Sequence, residues 1–314
     1  MASCNNLFQD YHDNISIGSK KNEKMKNSKE GLRKRIREWF KANHPEYVPY
    51  FYIQGSYKMK NGIRTAEDIC DLDDGIYFFR APDVTASTLK DWVKEAVDGY
   101  TNVAPENRKK CVRTIFSNDY EIDHPVYCKE DGKEYQIAVN GIGFEDSDPK
   151  AVVTWFVSKK DKEGRLLRNI KYLKGWADNQ SFKMPSGLAL TILATNAKEL
   201  IVLNERDDIT TRDILKEIKK ELSKDFKCTV PAVPNDNLLE NYANKEKFLE
   251  ALDKFIADAD SAIRNTNQKE ASKLWRKNLG DRFPIGEDKE DISRNTAAAN
   301  GAITSYPFYY EQVI

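Results

Sequence analysis

Apolar and polar residues alternate in short runs after Pro49, and this period of two predicts β-strands in the first half of the chain. A helix interrupts the strands at 87–98, where apolar residues follow the 3.6-residue period and Gly99 suits the C-cap. The Asp131-Gly132 pair favours a hairpin turn between the last two strands. The predicted strands cover residues 50–53, 73–79, 112–116, 120–128 and 135–139.

Helical spacing dominates the rest of the chain. Residues 29–42 place apolar side chains on one stripe, with Ser28 as the predicted N-cap. The opposite face carries five basic residues and is interpreted as solvated rather than as a nucleic-acid patch: Arg33, Lys34, Arg35, Arg37 and Lys41. From Gly164 onward the pattern is almost entirely helical, with predicted helices at 165–178, 185–204, 210–223, 244–264 and 268–279.

These patterns predict an α+β fold with two lobes. A sheet lobe with N-terminal helices is expected at residues 1–163, and a helical lobe at 164–314. A cleft between such lobes is where a ligand is expected to bind.

Charge and composition narrow the function. Lysine plus arginine equals aspartate plus glutamate at 50 each, so any phosphate or nucleic-acid binding must come from a local patch. No apolar run approaches the roughly 20 residues that span a bilayer, and the first residues lack a secretory signal, so a cytoplasmic protein without membrane attachment is expected. Five widely spaced cysteines predict reduced, mostly buried thiols, and three histidines are too few for the usual zinc sites.

Carboxylates are the remaining candidates for organising a metal. In a strand, Asp71 and Asp73 project from one face while Leu72 points into the core. Two neighbouring carboxylates repel each other unless a cation neutralises them, and hard oxygen ligands suit Mg²⁺ or Mn²⁺. Asp123, on a neighbouring predicted strand, can supply the third carboxylate that a two-metal site requires.

A glycine-serine pair precedes these aspartates. In Gln54-Gly55-Ser56-Tyr57-Lys58, Gly55 lets the backbone approach a triphosphate and Ser56 adds a hydroxyl donor. Each signal has a structural alternative, because Gly-Ser alone is usually a turn and D-x-D alone is more often a solvated loop or strand edge. Asp123 alone is as readily a surface residue, and His124 beside it is interpreted as a strand-edge histidine. Asp74 falls on the opposite strand face, where a structural role at Gly75 is expected.

Together these residues resemble the cGAS/DncV-like nucleotidyltransferases, or CD-NTases, within the polymerase-β-like superfamily. The Gly-Ser pair and the D-x-D identify only the superfamily, whereas the Asp-Asp-Gly and three later motifs favour the CD-NTase branch. The matching segments are Gly55-Ser56-Tyr57-Lys58, Asp71-Leu72-Asp73-Asp74-Gly75-Ile76-Tyr77, Ile122-Asp123-His124-Pro125-Val126-Tyr127, Tyr172-Leu173-Lys174-Gly175-Trp176 and Pro185-Ser186-Gly187-Leu188-Ala189-Leu190-Thr191.

The resemblance implies a polymerase-β-like fold with its active site between the lobes, where Asp71, Asp73 and Asp123 form the catalytic triad that binds two Mg²⁺ or Mn²⁺ ions. It also implies that the donor triphosphate binds at the turn formed by Gln54, Gly55 and Ser56. Lys174 resembles a lysine that contacts the triphosphate, although a solvated helix lysine is the alternative. Ser186 resembles the serine that opens the next helix, where free amides favour an anion and Pro185 suits the first turn. Arg113 resembles an arginine that reaches the donor phosphates; an exposed strand arginine is the alternative.

The implied reaction is nucleotidyl transfer from ribonucleoside triphosphates, giving a cyclic di- or trinucleotide that relatives use as a bacterial antiphage second messenger. No Cys/His cluster like the zinc finger of the animal DNA sensor is present, so direct activation by duplex DNA is not implied. The chain ends in Glu311-Gln312-Val313-Ile314 rather than in a small residue, which leaves regulation through a conjugated C-terminus in doubt. The aromatic residues from Tyr306 to Tyr310 are expected to pack on the helical lobe rather than stack on a base.

Two other functions fit the same residues. A polymerase-like enzyme would add nucleotides to RNA or protein, but the zero net charge offers no obvious path for a long polyanion. A nucleotide sensor without turnover would have little use for three intact aspartates at 71, 73 and 123.

Overall fold

The computed structural model describes residues 2–117 and 119–290, so the predictions for residues 291–314 lie outside it. The helices are α1 (Asn5–Ile15), α2 (Ser19–Asn43), α3 (Gly55–Met59), α4 (Ala86–Val97), α5 (Pro149–Lys159), α6 (Arg165–Asp178), α7 (Gly187–Lys198), α8 (Asp207–Lys224), α9 (Lys245–Arg264) and α10 (Gln268–Leu279). The strands are β1 (Tyr50–Gln54), β2 (Asp71–Phe78), β3 (Glu106–Asn107), β4 (Val112–Phe116), β5 (Tyr120–His124), β6 (Val126–Cys128), β7 (Gln136–Val139) and β8 (Gly143–Asp146). The predicted α+β class is confirmed.

Strand β2 lies at the centre of the sheet. It pairs antiparallel with β1, and on its other side it pairs parallel first with β5 and then with β6. Strands β3 and β4 extend the sheet beyond β5, and β7 and β8 extend it beyond β6. In the parallel ladder Asp71 lies opposite Glu121, and Asp73 lies opposite Asp123. The register therefore brings acidic residues of two strands to one end of the sheet.

Two large hydrophobic clusters support the lobes. One packs α2 and α4 against the sheet, around Leu32, Ile76 and Val93. The other joins the helices from α5 onward and also includes α1, through buried side chains such as Phe8 and Tyr11. The helical cluster thus draws on residues well before position 164, and the lobe boundary between 163 and 164 stays a prediction.

Several predicted element boundaries were wrong. Helix α2 begins at Ser19, nine residues before the predicted N-cap Ser28, whose hydroxyl instead hydrogen-bonds with that of Tyr120 at 2.8 Å. The added turns are mostly polar and bury few side chains, so they carry little periodic signal. Helix α7 is shorter than the predicted segment 185–204. The predicted strand 120–128 is divided at Pro125 into β5 and β6, and helices α1, α3 and α5 were not predicted.

The basic face of α2 is mostly exposed, as interpreted, but three of its arginines also contact the protein itself. Arg33 forms an ion pair with the fully buried Asp74, and Arg35 donates to the backbone carbonyl of Ala96 at 3.0 Å. The guanidinium of Arg37 lies 4.8 Å from the centroid of the Phe51 ring. These arginines attach α2 to the sheet and to α4.

Two further expectations concern cysteines and membranes. All five cysteines are free, and four of them are buried, as predicted. Within residues 2–117 and 119–290, no helix is both long and apolar enough to cross a bilayer.

Candidate active site

The acidic end of the sheet is built on β2. Asp71 and Asp73 share one strand face, whereas the intervening Leu72 is fully buried among the core residues. In the part of the chain that the structure describes, neither aspartate forms a hydrogen bond or ion pair with another side chain. The predicted pairing of the two carboxylates on one face is therefore present in the structure.

The environment of these carboxylates opposes their ionisation. Burial, followed by the negative charges of Asp71 and Asp123, raises the pKa of Asp73 to about 8. Burial and the charge of Asp123 also raise the pKa of Asp71. Such an arrangement favours a bound cation, because a cation offsets both the repulsion and the lost hydration. The donor set of adjacent carboxylate oxygens fits Mg²⁺ or Mn²⁺.

Asp123 is in register with Asp73, but its carboxylate is held by Arg113. Arg113 donates from Nε and Nη2 to the two carboxylate oxygens at 2.7 and 2.8 Å, and its Nη1 forms an ion pair with Glu121. Across the described residues, no three His, Cys, Asp or Glu side chains are grouped so that they could hold a metal ion. Asp71 and Asp73 thus present oxygens to a cation, while the third carboxylate is engaged by an arginine.

The glycine-serine pair lies directly against this acidic face. Gly55 has a φ of 59°, and a Cβ at this position would collide with the Asp73 carboxylate, so only glycine fits here. The Ser56 hydroxyl oxygen is buried, and none of the residues that the structure describes forms a hydrogen bond with it. A buried polar atom without a partner lowers stability unless a ligand or water supplies the missing hydrogen bond. Ser56 is therefore placed to donate to a bound group.

Gln54 has a different local role. Its amide nitrogen donates to the Tyr127 hydroxyl, and its amide oxygen accepts from the Tyr77 hydroxyl, both at 2.9 Å. The two tyrosine rings stack with their centroids 4.5 Å apart. Gln54 borders the cavity, but its polar atoms are engaged beneath the site rather than directed into it.

Lys174 reaches the site from α6. Its ammonium group donates to the side-chain and backbone oxygens of Asn61, at 2.9 and 3.0 Å. Burial lowers the pKa of Lys174 to about 8, although the charges of Asp71 and Asp73 act in the opposite direction. The solvated-lysine alternative is thus wrong, since this lysine is enclosed beside the acidic face.

Asn61 is a site residue that the sequence did not reveal. It is fully buried, and besides accepting from Lys174 it donates to the Thr191 hydroxyl at 3.2 Å. Asn61 follows α3, and Thr191 lies on α7, so this network joins both lobes behind the cavity. Asn61 lies in an unremarkable Lys-Asn-Gly segment and carried no sequence signal.

Ser186 lies at the helix start that was predicted. It is the N-cap of α7, and its hydroxyl accepts a hydrogen bond from the Ala189 amide at 3.1 Å. Pro185 precedes this cap, so its expected place in the first helical turn was wrong. Pro185 and Gly187 line the cavity on either side of the exposed Ser186.

A cavity of about 800 Å³ unites these groups. Its walls include the acidic face, the Gly-Ser turn, Arg113 and Lys174, and its far side is formed by α5, α7 and the loop containing Val230 and Pro234. The predicted cleft between the sheet and the helices is thus observed. Sequence-predicted residues that line it are Gln54, Gly55, Ser56, Asp71, Asp73, Arg113 and Lys174.

Two neighbours of the aspartates are structural. Asp74 forms a buried ion pair with Arg33, rather than acting through Gly75 as expected. His124 is fully buried on an interior strand, where its Nδ1 lies 3.1 Å from the Asp74 carbonyl oxygen, so the strand-edge interpretation was wrong. Burial lowers the pKa of His124.

Comparison with known proteins bears on the part of the chain that contains these residues. Residues 49–127 match the family model described as cyclic GMP-AMP synthase DncV-like, nucleotidyltransferase domain. This span contains the Gly-Ser turn and all three aspartates.

Solved structures share the fold over most of the chain. Vibrio cholerae DncV cyclic AMP-GMP synthase, described as a prokaryotic cGAS homologue, superposes with a TM-score of 0.77 at 17% identity, covering 90% of this chain and 97% of that one. Escherichia coli DncV in its 3′-deoxy GTP bound form gives 0.74 at 18% identity, covering 86% and 93%. V. cholerae DncV in complex with the linear intermediate 5′ pppA(3′,5′)pG gives 0.76 at 16% identity, covering 89% and 98%. The predicted fold and the predicted resemblance are confirmed.

Proposed function

Since residues 49–127 form a DncV-like nucleotidyltransferase domain, we propose that this nucleotidyltransferase joins ribonucleoside triphosphates into a cyclic di- or trinucleotide. The observation that carries the proposal is the unpaired carboxylate face of Asp71 and Asp73, opposite Asp123 and beside the unpartnered Ser56 hydroxyl. Similar structures are those of a cyclic AMP-GMP synthase and of its complexes with nonhydrolysable GTP and with a linear dinucleotide intermediate, which supports the same class of product.

The proposed reaction is an in-line attack. A ribose hydroxyl oxygen of one nucleotide forms a bond to the α-phosphorus of another, the bond to the β-phosphate oxygen breaks, and pyrophosphate leaves. The same step within the linear product closes the ring. A cavity of about 800 Å³ is large for a small-molecule site, as a pair of nucleotides requires.

Each residue of the site has a role in this proposal. Gly55 lets the triphosphate approach the turn, and the Ser56 hydroxyl donates to a phosphate oxygen. Lys174 neutralises the negative charge that grows on the leaving group. Arg113 and the cap at Ser186 are proposed to contact the phosphates, and Gln54 to hold the turn from below through its tyrosine contacts.

Two Mg²⁺ or Mn²⁺ ions are proposed to bind through Asp71, Asp73 and Asp123. When bound, they would neutralise phosphate charge and lower the pKa of the attacking hydroxyl. The raised pKa values of Asp71 and Asp73 support this proposal, since both carboxylates would gain from a cation. The proposed role as a second messenger in cytoplasmic antiphage signalling rests on the family resemblance.

Product analysis tests the proposal. The purified protein is incubated with all four labelled ribonucleoside triphosphates and Mg²⁺ or Mn²⁺, treated with phosphatase and analysed by mass spectrometry. An Asp71→Ala/Asp73→Ala variant serves as the inactive protein, and Asp253→Ala, an exposed change on α9, is the matched control. We expect a phosphatase-resistant oligonucleotide from the wild type and from Asp253→Ala only.

Other products would favour a different function. Linear products, or nucleotides attached to RNA or protein, would favour a polymerase-like transferase. Nucleotide binding without any product under all metal conditions would favour a sensor and would contradict the proposal.

A further inference from the structure

Arg113 and Asp123 form an ion pair with the geometry of a strong one. The two residues lie directly opposite each other in the antiparallel ladder of β4 and β5. Two parallel N–H groups of one guanidinium meet both oxygens of the carboxylate, and the third nitrogen reaches Glu121. The side chains of Arg113 and Asp123 are only 18% and 10% exposed, so solvent weakens this contact little.

This ion pair conflicts with the proposed binding of metal ions by Asp123. While Arg113 holds both oxygens of Asp123, its positive charge offsets the negative charge of the carboxylate and opposes a cation beside it. Consistently, the described residues contain no complete metal-ligand group, although Asp73 and Asp123 are in register. Movement of Arg113 away from Asp123 would therefore favour the addition of a third carboxylate to Asp71 and Asp73.

A triphosphate offers Arg113 an alternative partner. Guanidinium groups bind phosphate and carboxylate with the same forked geometry, and a triphosphate carries more negative charge than one carboxylate. Arg113 lines the cavity in which the phosphates are proposed to bind. Lys174, a second cation of the cavity, donates to Asn61, and among the described residues it forms no hydrogen bond or ion pair with Asp123.

We infer that Arg113 is a positioning residue that exchanges Asp123 for the triphosphate, so that nucleotide binding completes the metal site. The inference rests on the proposed function. It predicts ordered assembly, because a metal ion that needs Asp123 binds weakly until a nucleotide draws Arg113 away. By reciprocity, loss of the Asp123 charge must also help the nucleotide, since it removes the competitor for Arg113.

The first test measures Mn²⁺ binding without nucleotide, by electron paramagnetic resonance. Arg113→Gln releases Asp123, and we expect at least about fivefold tighter Mn²⁺ binding than in the wild type, the lower range of typical coupling between sites. Lys174→Gln is the matched control, because it removes one positive charge beside Asp71 and Asp73 but leaves Asp123 held. Equal gains in the two variants would show that only net charge matters and would overturn the inference.

The second test measures binding of ATP or GTP in EDTA, where no metal contributes. We expect Asp123→Asn to bind nucleotide at least about fivefold more tightly than the wild type, because its amide competes weakly for Arg113. An unchanged or weaker affinity would overturn the inference, and this result stays decisive even if Arg113→Gln fails to fold. Neither test uses turnover, so a failure of exchange is distinguishable from a failure of the proposed synthase activity.

Discussion

The carboxylates on the two faces of strand β2 lie in opposite electrostatic environments. On one face, Asp74 is fully buried and its carboxylate accepts from Nε and Nη2 of Arg33 at 2.8 and 2.5 Å. On the other, Asp71 and Asp73 lack an ion-pair partner among the described residues, and burial together with neighbouring carboxylates raises the pKa of both. A buried charge with a partner supports the fold, whereas adjacent charges without partners cost stability. The second arrangement favours a bound cation, and cation binding is the use that we propose for it.

The largest expected effect comes from breaking the paired face. Arg33→Ala leaves the Asp74 carboxylate buried without its partner and should lower the free energy of unfolding by about 3–5 kcal/mol. Urea unfolding measures the loss. Arg37→Ala on the same helix is the control, since its guanidinium only covers the Phe51 ring, and it should cost much less. Equal costs would mean that the buried pair is not special.

The lysine network behind the open face should be next in size. Asn61→Ala removes the side-chain oxygen that accepts from Lys174 and the bond to Thr191, while the backbone carbonyl remains, and should lower the free energy of unfolding by about 1–3 kcal/mol. It should also weaken nucleotide binding, because Lys174 loses its position. Thr191→Val removes only one neutral hydrogen bond, so calorimetry should show a smaller change in both quantities; a larger change in Thr191→Val would contradict this assignment.

Ser56 should matter to the ligand and not to the fold. No hydrogen-bond partner of its hydroxyl lies among the described residues, so Ser56→Ala should leave the unfolding free energy equal or slightly higher. Loss of a hydrogen bond to a charged phosphate should weaken nucleotide binding by about tenfold. Equilibrium binding and thermal unfolding of the same sample separate the two effects. A clear loss of stability with unchanged affinity would show that Ser56 is structural.

A pH-dependent gain in stability is expected for Asp73→Asn without metal. The folded-state pKa of Asp73 is raised to about 8, so its ionisation costs the folded protein progressively as pH rises toward that value. The variant escapes this cost, and its melting temperature should exceed that of the wild type more at pH 8 than at pH 5. Each kcal/mol relieved corresponds to roughly 2–4 °C. A gain that is equal at both pH values would contradict the role of ionisation.

Local sequence patterns predicted the acidic end of the sheet because strand alternation and register are short-range properties. Asp71 and Asp73 share a face by period alone, and parallel pairing then places Asp123 opposite Asp73. The five predicted strand segments lie close to observed strands for the same reason, whereas the short strands β3 and β8 were not predicted.

Residues whose roles depend on distant parts of the chain were not predictable in this way. Arg33 looked like one of several surface charges until α2 packed on β2 and gave it Asp74 as a partner. Asn61 acquires its role only from Lys174 and Thr191, which lie more than 100 positions away. Likewise, the sequence suggested that Arg113 reaches phosphates but gave no sign that it holds Asp123.

The difference between the two faces of β2 is tested most directly by pyrophosphate release from nucleoside triphosphates with Mg²⁺ or Mn²⁺. The rate is measured for Asp73→Asn and Asp74→Asn at a temperature below the melting temperatures of both variants. Asp73→Asn should lose at least about 100-fold in rate, as expected for loss of a key charge-stabilising group, while remaining at least as stable as the wild type without metal. Asp74→Asn should melt earlier and still release pyrophosphate when folded. Equal loss of activity in both variants, or undiminished activity in Asp73→Asn, would contradict the division of β2 into a structural face and a catalytic face.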